Sequence, residues 1–336
     1  AGIAYLTIDV NDKKVNTLSS EIMQNFSDQL TKISNDTSVV CLVIRSGKPD
    51  SFIAGADIKE IQQITSPESV FPLLKKGHDI LNQCANLSIP TIAMIHGVCL
   101  GGGLELALSC DFRIASLSDK TKLGLPEVNL GIIPGFGGTQ RLSRLIGVIR
   151  SLSMILTGRP VHSKKAFKLG LVDQCYPEEF SEDYLHAFIT RILDKSQRKK
   201  VIKRRKLPFL EIVMQSNIFT RALICSRSKK EIRKKTFGKY PAPELALKSV
   251  IKGFSKSLSK GLDYEAKMFS MCFNTNLPSY LMNLFFIQEE QKKKLNVISN
   301  KTEIKQAAVI GAGLMGSGIA WAFSYSGIPV VLKDLL

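Results

Sequence analysis

The sequence has 336 residues, of which 44% are hydrophobic and 22% charged, as is typical of a globular protein with one large or two medium domains. This composition excludes collagen-like, coiled-coil and wholly disordered chains. The formal net charge is +17, but residues 1–190 carry a net charge of −1 and residues 191–336 a net charge of +18. The basic character therefore belongs to the second part of the chain.

Strand-like and helix-like segments alternate along the first part of the chain. Strand-like segments predict strands over Ile3–Val10, Val39–Arg45, Thr91–Ile95, Phe112–Ala115 and Leu171–Cys175. Apolar spacing predicts helices over Ser20–Ser34, Phe71–Leu87, Leu104–Ser109, Thr139–Leu145 and Ser151–Leu156. Repeated strand–turn–helix units predict an α/β fold with a buried sheet.

The second part is predicted to be helical up to about residue 305. It contains two basic runs, of which Lys195–Lys206 holds eight Lys and Arg residues and 229–239 is the other. From Gln306 a short apolar strand leads into a glycine-rich turn, a helix and a second strand that ends at Asp334. We therefore expect three regions, at 1–190, 191–305 and 306–336.

The cysteine pattern favours reduced thiols. The seven cysteines are scattered, without a C-x-x-C pair, as expected for a cytosol-like compartment. The four histidines are dispersed, and none is assigned to a metal.

The least polar stretch, Ile89–Ser109, contains Pro90, several glycines and Glu105, so no segment is expected to span a bilayer. Both ends of the sequence have the character of cut ends, and we expect a fragment of a longer chain.

Two acidic residues stand beside glycine-rich bends. Glu105 follows Gly101-Gly102-Gly103 at the start of an apolar helix, and Glu127 follows Pro126 in a turn that ends at Gly131. Each could simply complement a helix dipole as a first-turn acid. Two such acids together also fit the paired carboxylates that general acid–base chemistry on water requires.

A third segment, Ser51–Lys59, ends a strand in small residues. Small residues at a strand end can present a bare backbone N–H. One such N–H here and one in the Gly101–Gly103 turn could hold a thioester oxygen, although the segment alone is only a turn.

Together the three segments resemble the enoyl-CoA hydratase (crotonase) family. The matching motifs are F-I-A-G-A-D-I-K, H-G-x-x-L-G-G-G-x-E-L-A and L-G-L-P-E-V-x-L-G-I-I-P-G-F-G-G-T-Q-R-L, within residues 1–190. The resemblance implies a spiral of ββα units, catalytic acids Glu105 and Glu127, and oxyanion amides from Ala56 and Gly102. It also implies substrate contacts from Ala54, Asp57, Lys59, Gly101, Pro134 and Gly135.

The glycine-rich turn near the C-terminus has the dinucleotide-binding spacing. Gly311, Gly313 and Gly316 follow a predicted strand and open a helix, and Asp334 ends the next strand. A tight βα turn in another α/β protein would give the same pattern. The segment Q-A-A-V-I-G-A-G-L-M-G-S-G-I-A resembles the start of 3-hydroxyacyl-CoA dehydrogenases, which implies a first Rossmann βαβ unit and NAD contacts from those residues and Met315.

A crotonase part followed by such a start resembles the multifunctional fatty-acid oxidation α-subunits. This resemblance implies hydration of trans-2-enoyl-CoA, possible Δ3–Δ2 isomerisation, NAD-dependent oxidation by the complete protein, and a thiolase β-subunit partner in an α2β2 complex. It implies a bacterial cytoplasmic location, with the mitochondrial matrix as the alternative. A catalytically silent assembly module remains the rival hypothesis. The basic runs lack a recognised nucleic-acid module, and no sequence-specific nucleic-acid binding is expected.

Overall fold

A computed structural model describes residues 2–64, 66–298 and 304–334. The chain forms two compact units, Ala1–Asn283 and Leu284–Leu336. Within the described residues, no helix combines the length and the apolar character needed to cross a membrane.

The main sheet of the first unit is parallel throughout. Its strands in spatial order are β1 (Gly2–Ile8), β2 (Val39–Ser46), β4 (Thr91–Ile95), β6 (Phe112–Ser116) and β9 (Gln174–Tyr176). The first four agree with the predicted strands to within two residues at each end.

The strand predicted over Leu171–Cys175 is wrong at its start. The observed strand begins at Gln174, because Leu171 donates its amide to Ala166 and Asp173 donates to Arg113 in the loop before it. The apolar character of the start of this segment thus comes from buried loop residues and not from the strand.

A second, smaller sheet was not predicted. Its strands are β3 (Ser51–Ile53), β5 (Val98–Leu100) and β7 (Lys122–Gly124), which are parallel, and β8 (Val161–His162), which is antiparallel to β7. The chain passes from a main-sheet strand to a second-sheet strand and then into a helix, and it does so repeatedly. This is the expected succession of ββα units.

Helices cover the sheets of the first unit. Helix α1 shows how the sequence specifies them: Ser19 caps its first turn by accepting from the Ile22 amide, and Met23, Phe26 and Leu30 recur on its buried face. The helices of the described residues before position 299 are α1 (Ser20–Asn35), α2 (Ile58–Gln62), α3 (Pro67–Ala85), α4 (Gly102–Ser109), α5 (Gly138–Ile146), α6 (Val148–Thr157), α7 (Ser163–Leu169), α8 (Ser181–Leu193), α9 (Lys195–Arg204), α10 (Phe209–Ser216), α11 (Ile218–Thr236), α12 (Pro241–Phe254), α13 (Leu258–Ser270) and α14 (Leu277–Ile298).

The two faces of the main sheet bury separate hydrophobic clusters. Along β2, Cys41 and Val43 join the cluster that includes residues of α8 and α9, while Leu42 and Ile44 join the larger cluster on the other face. The larger cluster also contains buried residues of α12 and α13. Part of the segment predicted as a linker therefore packs into the core of the first unit. The predicted boundaries at 190 and 305 stay predictions, and α8 runs through the first of them.

A buried ion pair ties the end of the main sheet to the first basic run. Arg113 on β6 is 2% exposed and donates to the carbonyls of Leu171, Ala107 and Cys110. The Asp173 carboxylate accepts from the Arg113 amide at 3.0 Å and from Arg205 Nε at 2.6 Å. Arg205, at the end of α9, is thus fixed to the sheet.

The second unit contains a parallel strand pair around one helix. Strands β10 (Ala307–Ile310) and β11 (Val330–Lys333) pair in register, and α15 (Leu314–Tyr325) connects them. This is the predicted βαβ arrangement. Asp334 follows directly after β11.

Candidate active site

The second sheet brings the three glycine-rich segments together. Each segment follows one of the adjacent parallel strands β3, β5 and β7, and the carboxyl ends of parallel strands lie at one edge of a sheet. At this edge the amide of Gly101 donates to the Gly124 carbonyl at 2.9 Å. The edge therefore gathers the segments that contain Ala56, Gly102 and Glu127.

The backbones of Ala56 and Gly102 are in close approach. A Cβ atom built on Gly102 would lie 3.2 Å from the Ala56 amide nitrogen. Ala56 forms a parallel bridge with Leu18, in which Leu18 donates to the Gly55 carbonyl and Asp57 donates to the Leu18 carbonyl. The Ala56 amide points to the other side of this bridge, because successive amides of an extended chain alternate in direction. Gly102 is the first residue of α4, where helix amides have no intrahelical acceptor.

Glu105 is a buried carboxylate held by two backbone amides. Its side chain is on the first turn of α4, and the residue is 2% exposed. Its Oε1 atom accepts from the Phe136 amide at 2.8 Å and from the Gly138 amide at 2.7 Å. Burial raises the pKa of Glu105 well above its usual value, the charges of Glu127 and Glu265 raise this pKa further, and the two amides oppose the rise.

The carboxylate of Glu127 is inaccessible and has no hydrogen-bond partner among the described residues. Glu127 begins the short 3-10 turn Glu127–Leu130 after β7, and both carboxylate oxygens are inaccessible and accept no hydrogen bond from the described residues. Burial raises the pKa of Glu127 to about 8. Its Oε1 atom would be 3.1 Å from a Cβ atom built on Gly101, which places the carboxylate beside the glycine turn. An unsatisfied buried carboxyl group is costly, so it marks a place where a water or a substrate atom belongs.

A third buried carboxylate, Glu265 on α13, was missed in the sequence. It accepts from the amides of Gly137 at 2.6 Å and Thr139 at 2.9 Å and contacts Nε2 of buried His78 at 3.3 Å. The signal was available: Glu265 lies on the same helix face as Leu262, which is buried, so the apolar face of α13 carries an acid.

The other predicted substrate residues are distributed around this edge. Asp57 caps α2 by accepting from the Lys59 amide at 3.0 Å and forms an ion pair with Lys13 at 3.1 Å. Lys59 is exposed, and Ala54 donates its amide to the Asn16 carbonyl.

Pro134 and Gly135 lie buried in the loop before α5. A Cβ atom on Gly138 would be 2.8 Å from Pro134 Cβ, and one on Gly135 would be 2.8 Å from the ring of Phe269. These two residues thus support the loop that holds Glu105.

A small cavity adjoins the Ala56 side of the edge. It has a volume of about 30 Å³, enough for one water molecule, and its lining includes Ala56, Leu18, Met23, Ile80 and Phe136. Most of its lining is apolar, and neither Glu105 nor Glu127 is part of it.

The second unit carries the glycine-rich turn that has the dinucleotide-binding spacing. Gly311 has a positive φ of 97°, and a Cβ atom on Gly316 would lie 1.7 Å from the Gly311 carbonyl oxygen, so only glycine fits at position 316. The amides at the start of α15, near Gly313 and exposed Met315, are open to an anion. The turn therefore has the build that a pyrophosphate requires.

Two family models match the chain. The model described as enoyl-CoA hydratase/isomerase matches residues 1–207, and the model described as 3-hydroxyacyl-CoA dehydrogenase, NAD binding domain, matches residues 306–336. The two resemblances predicted from the motifs are thereby confirmed in identity and in order.

Curated relatives extend the similarity over nearly the whole chain. The fatty acid oxidation complex subunit alpha of Vibrio parahaemolyticus is 38% identical over 99% of this chain and 46% of its own length. That of Aliivibrio fischeri is 43% identical over 99% of this chain and 48% of its own length. The chain thus spans just under half the length of these relatives.

Solved structures share the fold of the first unit. A carnitinyl-CoA dehydratase from Mycobacterium thermoresistibile has a TM-score of 0.62 at 19% identity, covering 84% of this chain and 87% of its own. At that identity the likeness concerns the fold alone, and together with the matching enoyl-CoA hydratase/isomerase model it confirms the predicted crotonase-like architecture.

Proposed function

The chain belongs to the enoyl-CoA hydratase/isomerase family, and from this premise we propose that it adds water to trans-2-enoyl-CoA thioesters to give 3-hydroxyacyl-CoA. The observation that carries the proposal is the presence of two inaccessible carboxyl groups, those of Glu105 and Glu127, beside the close approach of Ala56 and Gly102. The subunit alpha relatives support placing this reaction in fatty-acid oxidation.

The amides of Ala56 and Gly102 are proposed to bind the thioester oxygen. When water adds to C3, negative charge moves through the conjugated system onto this oxygen. Two fixed N–H donors stabilise that charge, each by about 3 kcal/mol as in other oxyanion holes. Their proximity supports this role, because both must reach one atom.

The two glutamates are proposed to move the protons. One takes a proton from the attacking water as its oxygen bonds to C3, and the other delivers a proton to C2. This requires one carboxylate and one carboxylic acid at neutral pH. The raised pKa values support it, because the first ionisation in a coupled buried pair opposes the second.

The remaining site residues are proposed to hold the coenzyme A part and the acyl carbonyl region. Exposed Lys59 suits a phosphate of coenzyme A, and Asp57 fixes the start of the helix that carries Lys59. Ala54 and Gly101 provide backbone beside the oxyanion amides. Pro134 and Gly135 shape the loop that faces Glu105.

For the complete protein we propose NAD-dependent oxidation of the 3-hydroxyacyl-CoA product. Gly311, Gly313, Met315 and Gly316 would hold the pyrophosphate, and Asp334 would accept from the adenosine ribose hydroxyls. Bound NAD would supply the hydride acceptor. A thiolase β-subunit in an α2β2 complex and a bacterial cytoplasmic location are proposed on the same family grounds.

The test is hydration of crotonyl-CoA by the 336-residue chain, followed by loss of the conjugated enoyl thioester absorbance. Wild-type protein should hydrate it, and Glu127→Gln should be at least about 10²-fold slower, as is usual for loss of an acid–base group. Glu244→Gln in α12, outside the site, is the matched control and should retain wild-type rate. A 3-enoyl-CoA substrate run in parallel would detect isomerisation by the same pair. Absence of turnover with a folded wild-type chain would instead favour the silent assembly module.

A further inference from the structure

Four consecutive amides before and within the start of α5 alternate between two buried carboxylates. The amides of Phe136 and Gly138 donate to Glu105, at 2.8 and 2.7 Å. Those of Gly137 and Thr139 donate to Glu265, at 2.6 and 2.9 Å. The Thr139 hydroxyl also donates to Glu265. Each carboxylate thus holds every second amide of the loop.

The backbone of residues 136–139 needs hydrogen-bond acceptors from other parts of the fold. Gly137 has a positive φ of 104°, and Gly138 has no side chain, so the loop is intrinsically free. The first amides of α5 also have no acceptor within their own helix. One carboxylate alone would leave alternate amides unsatisfied, whereas Glu105 and Glu265 together satisfy all four.

The surroundings of Glu265 impose a large desolvation cost on a negatively charged carboxylate. Glu265 is 0% exposed on α13, in the helix face that also buries Leu262, Ala266 and Phe269. An ionised carboxylate in such surroundings needs several donors to offset its desolvation. It obtains them from the α5 loop and contacts His78 of α3.

Several charged groups face this pair of carboxylates. From the 3-10 turn after β7, Glu127 raises the pKa of Glu105, and from α13, Glu265 raises the pKa values of both Glu105 and Glu127. From α5, Arg141 lies within the field of both Glu105 and Glu265. From α3, His78 touches Glu265.

We propose that Glu265 is a positioning residue for hydration: by fixing the amides of residues 137 and 139, it aims the amides of residues 136 and 138 at Glu105 and so orients the Glu105 carboxyl group. The inference rests on the proposed function. Glu265 thus joins Glu105 and Glu127 as a third glutamate of the site. It acts through the loop before α5 and does not touch substrate.

The test compares Glu265→Gln with Glu265→Asp in the full chain, with Glu244→Gln as control. Gln keeps the size but removes the charge, and its NH2 group would face amide donors. Asp keeps the charge but is too short to reach all its donors. For both variants kcat should fall about 10- to 100-fold, as for misplacement of a catalytic group by a fraction of an ångström, with KM within about threefold.

The pH profile separates positioning from a general loss of structure. Because the Glu265 charge raises both pKa values of the catalytic pair, its removal in Glu265→Gln should shift the whole kcat profile to lower pH. Glu265→Asp should leave the profile in place while kcat falls. Circular dichroism and thermal melting establish that each variant is folded.

The outcomes that overturn the inference are distinct from the one that overturns the proposed function. A folded Glu265→Gln with wild-type kcat overturns it, as does a reduced kcat with an unshifted profile. If Glu265→Gln does not fold, Glu265→Asp decides alone, and a wild-type kcat there overturns the inference. If wild-type protein itself fails to hydrate crotonyl-CoA, the proposed function has failed, a result distinct from active wild type with unaffected variants.

Discussion

Gly102 and Ala56 approach so closely that a single added methyl group on Gly102 would stand 3.2 Å from the Ala56 amide nitrogen. This relationship joins two segments that are almost fifty residues apart in the chain. It exists because β3 and β5 are neighbours in the second sheet. The space between the two amides is therefore set by backbone alone.

Gly102→Ala should impair hydration without unfolding the protein. The new methyl group would sit next to one proposed oxyanion donor and displace the thioester oxygen from it. We expect kcat/KM for crotonyl-CoA to fall about 10²- to 10³-fold, the usual effect of losing one such donor. Gly318→Ala, a helical position with nothing within 4 Å of the new Cβ atom, is the matched control and should keep its activity. An active Gly102→Ala would show that the oxygen binds elsewhere.

Glu105→Gln and Glu127→Gln should both lose activity without losing stability. A Gln oxygen at position 105 can still accept from the amides of Phe136 and Gly138, so its stability should change little. Within the described part of the chain the Glu127 carboxylate has no hydrogen-bond partner to lose, and the neutral amide that replaces it avoids the cost of a buried charge. Urea unfolding at about pH 8 should therefore show Glu127→Gln to be as stable as wild type or more stable. A markedly destabilised Glu127→Gln would mean that this carboxylate has a structural partner.

The raised pKa of Glu127 predicts a pH-dependent stability. Below its unfolded value of 4.5 the group is protonated in both states, and between 4.5 and about 8 only the unfolded state releases the proton. The group therefore favours unfolding progressively as the pH rises through this window, and Glu105 acts in the same direction. The free energy of unfolding should fall less between about pH 5 and about pH 8 in Glu127→Gln than in wild type. Parallel curves for the two proteins would place the pKa of Glu127 near its ordinary value.

Gly316→Ala should damage the nucleotide-binding turn selectively. Its Cβ atom would overlap the Gly311 carbonyl oxygen at 1.7 Å, so β10 and α15 would have to separate. Hydrogen exchange should accelerate over residues 307–333 while crotonyl-CoA hydration is unchanged. Gly313→Ala, with open space around the new Cβ atom, serves as control. Equal exchange in the two variants would argue against a tight glycine contact in this turn.

The longer strands of the main sheet could be predicted from the sequence because they form apolar runs bounded by polar or turn residues. β2 runs for eight residues, and Val39–Ile44 within it is an unbroken apolar run, as expected for a strand buried on both faces. The strands β3, β5 and β7 have three residues each and adjoin glycines, so no period is detectable. The motifs identified the residues of the candidate site, but no pattern in the sequence predicted the second sheet, which brings them together.

Glu265 escaped prediction for a different reason. Its donors are Gly137 and Thr139, which are separated from it by more than 120 residues, and no local rule links a helix to a loop over that distance. The sequence of residues 191–305 is rich in basic residues, and this charge obscures the apolar face of α13. A single acid among Leu262, Ala266 and Phe269 was the available clue.

The Asp173 ion pair changes where the first unit can be divided. A polypeptide cut after residue 190 would lose Arg205 and buried Val201, and of its two ion-pair partners Asp173 would keep Arg113. A buried charge that loses its sole partner typically costs about 3–5 kcal/mol, and because Asp173 would keep Arg113 the loss of Arg205 should cost less than this. During synthesis, the same dependence means that the edge of the main sheet acquires its final charge balance only after residue 205 has left the ribosome. Recombination or proteolysis at residue 190 would thus remove one of the two arginines that balance the buried charge of Asp173.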